Sequence, residues 1–297
     1  MAIVMPWSRL WVLGCAQNCE AALPAVLANI ERLRCLFKAS ELLILENDST
    51  DATRELIAAH GGRYPGVHAL GFAGLNGRIA VKTLRLAHLR NGAMAWAQQR
   101  GAFAPGQLLV VLDLDEVNAA PWDLAAMELV LRWFAAQPQA AAVFANQLGP
   151  YYDLWALRHP SLCPDDLWEQ LMRAHLAEPG LGDQFLFDRF VLPKQLSFPL
   201  GQPPMEVESA FGGMGFYKGE WLLRQRFAYA GERTLLLEQQ GQPRLVRWQV
   251  AEHVNFHLGL RAAGASLWIH PALVNWCTED LPGGLRMNPH SWRHMSF

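Results

Sequence analysis

Leu108-Leu109-Val110-Val111-Leu112-Asp113-Leu114-Asp115-Glu116-Val117-Asn118 is an apolar run of strand length that stops abruptly at three carboxylates. A buried strand with acids at its C-terminal end is where open α/β sheets carry their chemistry. Asp113 and Asp115, one residue apart with Glu116 alongside, suit a hard divalent cation. Such a cation can hold the phosphates of a nucleotide, its oxygen ligands shared between protein and substrate. The bland alternative is a strand running into a solvated acidic loop, and the flanking sequence decides between the two.

Upstream, Leu10–Asn18 reads as a strand ending in a loop. Glu20–Leu36 then carries Leu23, Val26, Leu27, Ile30 and Leu33 at helical spacing. Glu41–Leu45 is a second strand, followed by the polar run Glu46-Asn47-Asp48-Ser49-Thr50-Asp51-Ala52-Thr53, whose Ser and Asp residues suit helix N-caps, and by a helix from Arg54 to His60. Strand–helix–strand–helix predicts a right-handed parallel sheet. No Gly-x-Gly-x-x-Gly and no P-loop occurs, so acids and polar side chains at strand ends must hold any nucleotide. Arg78–Gln99 is helical in pattern throughout and presents Arg78, Lys82, Arg85 and Arg90. Cations beside an acidic metal site are what a diphosphate needs, although a basic helix is as often a solvated face.

Downstream, Trp122–Ala136 reads as an amphipathic helix and Ala140–Ala145 as a strand. Asn146–His159 is dense in the hydrogen-bonding and stacking side chains found in sugar sites, Tyr152, Asp153, Trp155 and Arg158 among them. Residues 160–205 lose their period after about Ala177 and are expected to form a substrate-covering insertion or mobile loop. Gly212, Gly213 and Gly215 allow backbone to approach a ligand closely. Glu252–Gly264 looks like a helix whose positive end offers polar side chains, and Ser266–His270 like a closing strand. The tail after Gly283 is expected to be a flap.

The 297 residues are 52% hydrophobic with a net charge of −2, which argues against a nucleic-acid binder. No apolar stretch approaches the roughly 18 residues of a spanning helix, and the start lacks a signal-peptide cleavage site. The surplus apolar surface suits a homodimer or a peripheral contact with a membrane or lipid-linked substrate. Five scattered cysteines complete neither a redox pair nor a zinc site, so buried thiols in a cytoplasmic protein are expected.

Together these segments resemble a GT-A glycosyltransferase. The segment Glu46–Thr53 is similar to the nucleoside-contacting stretch after strand two, and Arg85 with Arg90-Asn91 to the Arg-rich helix before the metal strand. Asp113-Leu114-Asp115 stands where Asp-x-Asp belongs, and Glu252-His253 with Arg261 and Gly264 resembles the later segment in which Glu-Asp precedes an Arg and a Gly. The run from Asn146 to Arg158 and Phe211-Gly212-Gly213 resemble, more narrowly, the cryptococcal α-1,3-mannosyltransferase (CAP59-type) group and its bacterial relatives.

The resemblance implies one α/β domain over residues 1–297, a mostly parallel central sheet flanked by helices. Residues 1–118 would form a nucleotide-binding half, and 119–297 an acceptor half with the loop-rich insertion near 160–205. It implies Mn²⁺ or Mg²⁺ on Asp115, Asp113 and His253, and a GDP-mannose or UDP-hexose donor near Glu46, Asp48, Arg78, Lys82, Arg85, Arg90 and Asp113. Tyr152, Trp155, Arg158, Gly212 and Gly213 would meet sugar or a glycan or lipid-linked acceptor. Glu252, His253 and Asp153 would serve catalysis, in bacterial surface polysaccharide synthesis at the inner face of the membrane. Glu-His replaces the usual Glu-Asp, so a catalytic Asp base does not carry over, and a retaining enzyme would not need one.

Two rivals compete. A haloacid-dehalogenase-type phosphohydrolase would use Asp113 as nucleophile and Asp115 as acid/base, with Asp183 and Asp188 as its later acids. The strand–helix pattern before Asp113 and the lack of any lysine between Asp115 and Asp183 stand against it. A non-catalytic glycan or sugar-nucleotide binder on the same fold would not require Asp113 and Asp115.

Overall fold

The structure, a computed structural model, describes residues 5–225, 227–239, 242–278, 293 and 295. Its first half runs β1 (Arg9–Ala16), α1 (Leu23–Arg34), β2 (Ser40–Glu46), α2 (Thr53–Arg63), β3 (Val67–Gly71), α3 (Leu75–Arg78), α4 (Lys82–Gln99) and β4 (Gln107–Asp113). Then come α5 (Leu124–Ala135), β5 (Ala140–Leu148), α6 (Leu167–Ala177), α7 (Asp183–Phe190), β6 (Met205–Val207), β7 (Met214–Lys218), α8 (Gly219–Leu222), β8 (Glu232–Gln239), β9 (Gln242–Gln249), α9 (Glu252–Ala262) and β10 (Ser266–Cys277).

Eight strands form one sheet in the order β3-β2-β1-β4-β7-β5-β10-β6. β1 pairs in parallel with both β2 and β4, as β10 does with β5, whereas β7 lies antiparallel between β4 and β5 and β6 antiparallel on β10. The sheet is therefore mostly parallel, and alternation along its strands builds the two layers that flank it. Trp11, Leu13, Leu43, Leu45, Leu109 and Val111 face a core shared with α4, α6 and α9. Leu10, Val12, Leu42, Ile44, Leu108 and Val110 face one shared with α1 and α5. β4, apolar on both faces, is buried from Leu108 to Leu112 and delivers Asp113 at its C-terminal end.

Several expectations are corrected. Arg78–Gln99 is not one helix: it breaks at residues 79–81, where the β-branched Ile79 and Val81 disfavour helix and the Arg85 guanidinium donates to the carbonyls of Ile79 and Ala80. Residues 160–205 hold α6, capped by Asp166, which accepts from the Trp168 and Glu169 amides, and then α7, a helix that lies beyond Ala177, where the sequence reading lost its period. The hairpin β8–β9 and the edge strand β3 have no counterpart in the sequence reading. On the hairpin, Leu236 and Leu245 face each other across the strands and are 65% and 76% exposed, while other exposed apolar side chains, Leu129, Leu200 and Leu223 among them, are scattered elsewhere. The C-terminal flap lies outside the described residues apart from residues 293 and 295. No described helix is long and apolar enough to cross a membrane.

Candidate active site

A cleft of about 370 Å³ opens where β1 and β4 end, closed on its far side by the first turn of α9. Strand ends supply Cys15, Ala16, Gln17, Asp113 and Asp115, the start of α4 supplies Lys82 and Arg85, and the 152–156 segment supplies Tyr152, Asp153 and Trp155. Glu252 and His253 complete it. A right-twisted parallel sheet splays its loops at the C-terminal edge, so residues far apart in sequence converge there.

The floor is an ion cluster. Arg90, 5% exposed, pairs through Nη2 with Asp113 Oδ1 at 2.7 Å and through Nη1 with Glu252 Oε1 at 2.5 Å. Its guanidinium also lies 4.8 Å above the Phe211 ring. Burial opposes the charge of Arg90, but Glu252 and Asp113 outweigh it and hold the group protonated. Asp113 is 27% exposed, yet burial pushes its carboxyl up to about 7 against the pull of Arg90, helped by the charges of Asp115, Glu252 and Asp153. Asp115 is exposed, accepts from the Val117 amide through Oδ1 at 3.3 Å, and feels the charge of Lys82.

Amides hold the acids in place. The Gly213 carbonyl accepts from the Asp113 amide at 2.9 Å and from Asn118 Nδ2 at 2.8 Å. Asn275 Nδ2 donates to Asn118 Oδ1 and to the Gly212 carbonyl, which also accepts from Gln147 Nε2. Asp153 is anchored from the same turn, its Oδ2 accepting from the Gly212 amide at 3.1 Å. Gly213 has φ +81°, and a Cβ there would meet Val117 Cγ1 at 2.4 Å. Gly213→Ala is expected to cost about 3 kcal/mol from left-handed strain plus overpacking, read as a lower urea midpoint at unchanged m.

His253 stacks on Phe211 with ring centroids 3.7 Å apart, and neither of its ring nitrogens has a hydrogen-bond partner among the described residues. Burial and the nearby Arg90 charge hold it neutral. Behind it His257 is fully satisfied, Nδ1 on Ser209 Oγ at 2.9 Å and Nε2 on Tyr217 Oη at 2.8 Å. Burial, with Arg90, lowers His257 from its ordinary 6.5 to about 3. A histidine with a depressed folded pKa contributes stability that is fully present above 6.5 and lost as pH falls towards 3. From pH 7 to pH 5 this group alone should remove about 2 kcal/mol. A plot of the stability difference between wild type and His257→Gln against pH should carry that slope; a flat plot would contradict it.

The cleft does not gather every expected residue. Glu46 lies buried behind it, accepting from the Ser49 amide at 2.7 Å and pairing with Arg54 at 3.1 Å. Asp48 ties the next loop through the Gly74 and Asn76 amides, leaving Asn47 as the residue that lines the cleft. Arg78 is exposed and donates to the Ala73 and Gly74 carbonyls. Arg90 reaches the cleft, but its charge is committed to Asp113 and Glu252. Gly212 and Gly213 shape the turn beneath the acids and do not line the cleft. Arg158 pairs with Asp166 at 3.0 Å and lines a second cavity. Arg261 binds Glu206 at 2.5 Å, away from the cleft. Asp183, the later acid of the phosphohydrolase reading, sits on α7 and holds Arg293 instead.

Asp113, Asp115 and His253 do not form a metal cage: no group of three such ligands occurs among the described residues. The Arg90 charge beside His253 is the physical reason to exclude a second cation at that ring. Two carboxylates of hard oxygen remain, which fits a cation that takes its other ligands from phosphate and water. Gln17 and Asn47 were not singled out in the sequence, nor were the supporting Asn118, Gln147 and Asn275. Of these, Asn47 and Gln147 lie in segments that carried the resemblance and Asn118 follows the acids directly, whereas Gln17 and Asn275 carried no signal of a site.

No family model matches the chain, and no curated protein matches it. Among solved structures it is similar to the mannosyltransferase PcManGT of Pyrobaculum calidifontis in complex with GDP-Man and Mn²⁺, at 17% identity and a TM-score of 0.49. That likeness covers 98% of this chain and 62% of the other. It is also similar to glucosyl-3-phosphoglycerate synthase of Mycobacterium tuberculosis in complex with UDP, at 16% identity and a TM-score of 0.37 over 91% of this chain and 69% of that one. The same enzyme with Mg²⁺ and UDP matches at 15% identity and a TM-score of 0.39, over 91% and 70% of the two chains.

Proposed function

We propose that the protein is a metal-dependent GT-A glycosyltransferase that moves a hexose from a nucleotide-diphosphate sugar to a glycan, free or lipid-linked. The observation that carries this reading is Asp113-Leu114-Asp115 at the end of the central strand β4, opening into a cleft that also holds Lys82 and Arg85. Asp115, the exposed acid, is the direct ligand for Mn²⁺ or Mg²⁺, and Asp113, tied to Arg90, orients the ribose or donor sugar. The cation, when bound, acts as a Lewis acid on the departing diphosphate. Lys82 and Arg85 add positive charge where negative charge develops.

The other wall suits the sugar. Tyr152 and Trp155 offer apolar faces, while Asp153 and Glu252 offer carboxylates to its hydroxyls. Neutral His253, with unpartnered ring nitrogens, can accept a hydrogen bond from a sugar or acceptor hydroxyl, while burial and the Arg90 charge oppose its taking the proton as a base. Mannose is favoured as the donor sugar by the resemblance of the 146–158 and 211–213 segments, and surface polysaccharide synthesis by the same likeness.

Titration calorimetry with GDP and UDP, with and without Mn²⁺, tests the site. Tight binding of one nucleotide that needs Mn²⁺, and is lost in Asp115→Ala, is expected. Binding indifferent to both metal and Asp115 would refute the assignment.

A further inference from the structure

A second cavity, of about 510 Å³, lies across the wall that closes the cleft. Ala251, Glu252 and His253 face the cleft, whereas Val250, Val254 and Asn255 face this cavity. The same division runs through the preceding loop, where Trp155 and Ala156 line the cleft and Arg158 lines the cavity. One atom joins the two spaces. Asp166 Oδ2 accepts from Trp155 Nε1 at 3.1 Å on the cleft side and from Arg158 Nη2 at 3.0 Å on the cavity side. Asp166 is 2% exposed and also caps α6, so it holds both partners from a fixed position.

Most of the charges lining the cavity are paired, three of them with residues outside its wall. Arg158 is paired with Asp166, Arg233 with Glu169, Glu232 with Arg247, and Glu208 with Arg261. Each arginine that lines it is thus already engaged by a carboxylate, and carboxylates outnumber arginines along the wall. An anionic ligand would meet repulsion with no uncommitted arginine to offset it. Paired charges remain good hydrogen-bonding groups for hydroxyls, and Pro160, Val254 and Leu258 supply apolar faces for C–H surfaces. The volume suits a ligand of about two or three sugar rings.

We infer that this cavity is a saccharide site that holds the uncharged body of the acceptor glycan, a ring or more away from the hydroxyl that reacts in the cleft. This rests on the transferase reading for its role, but not for its chemistry. Asp166 is a positioning residue: its one carboxylate oxygen fixes Trp155 on the cleft side and Arg158 on the cavity side.

Saturation-transfer NMR and calorimetry with mannotriose and maltotriose as neutral probes, and a hyaluronan tetrasaccharide as the anionic one, test the inference. Leu258→Trp, at a position 40% exposed, fills the cavity, and Arg233→Ala removes one hydrogen-bonding wall. A neutral trisaccharide is expected to bind, and each variant to weaken it about tenfold or more while nucleotide binding with Mn²⁺ stays unchanged. Unchanged nucleotide binding shows that the variants fold, and its failure in the wild type would bear on the cleft alone. Equal saccharide binding by wild type and Leu258→Trp would overturn the inference. So would preference for the hyaluronan probe, or no binding of either neutral trisaccharide at about 10 mM.

Discussion

Asp115→Ala is expected to lower turnover of the donor about a thousandfold, equivalent to about 4 kcal/mol of transition-state stabilisation. The fold should survive, because Asp115 is exposed and its side chain accepts only a long hydrogen bond, from the Val117 amide at 3.3 Å, while its backbone bond to Asn118 is kept in alanine. Its loss removes a carboxylate from the only acidic pair that ends the central strand, leaving Asp113, whose Oδ1 is held by Arg90. Steady-state release of nucleotide diphosphate, alongside circular dichroism, checks both halves of this expectation. Near-wild-type turnover in Asp115→Ala would remove the metal role from this pair. Asp115→Glu, which keeps the charge but moves it outward, should recover part of the rate.

Arg90→Met should be among the most destabilising single changes in the chain, by about 3–5 kcal/mol. Arg90 and Glu252 are both nearly inaccessible, at 5% and 8% of their side chains, and Glu252 would be left as a buried charge without its partner. The partly exposed Asp113 loses the same cation, so β4 and α9 are no longer tied together beneath the cleft. Equilibrium urea unfolding measures the change. Arg90→Lys should fall between, since an ammonium is a point charge and does not span two carboxylates as a guanidinium does. A loss below about 1 kcal/mol in Arg90→Met would mean that the cluster contributes little.

Much of this arrangement was legible in the sequence wherever periodicity and burial agree. β1, β2 and β4 are apolar runs, α1 and α5 carry stripes at helical spacing, and α9 begins at the Glu252 pair that marked it. Asp113 and Asp115 fell at a strand end because an eleven-residue stretch contains both the run and its abrupt stop. β7 was not legible. Gly215 within it sits where a Cβ would lie 3.0 Å from Phe144, and a strand selected for close approach lacks the bulky alternation that announces strands. β3 is a half-exposed edge with only five residues, too short and mixed to register.

The site was legible in its acids and not in its pairings. Arg90 looked like a phosphate-binding cation because it shares a helix with Lys82 and Arg85, but an ion pair to residues 113 and 252 depends on tertiary approach. Glu46 and Asp48 stand in the expected segment, yet strand β2 turns them to the neighbouring backbone. The Gly212-Gly213 pair was read as an approach to ligand, whereas both carbonyls are occupied by Asn118, Gln147 and Asn275. Amide networks of that kind join residues more than sixty positions apart and leave no local pattern.

The most direct measurement is a donor screen of the purified protein. GDP-mannose and UDP-hexoses would be incubated with and without Mn²⁺, released nucleotide diphosphate being followed, and simple phosphomonoesters run in parallel. Mn²⁺-dependent release from one sugar nucleotide, absent in Asp115→Ala, is the result expected. Release of inorganic phosphate from the phosphomonoesters, with every sugar nucleotide left intact, would contradict the glycosyltransferase assignment and return Asp113 and Asp115 to hydrolytic chemistry.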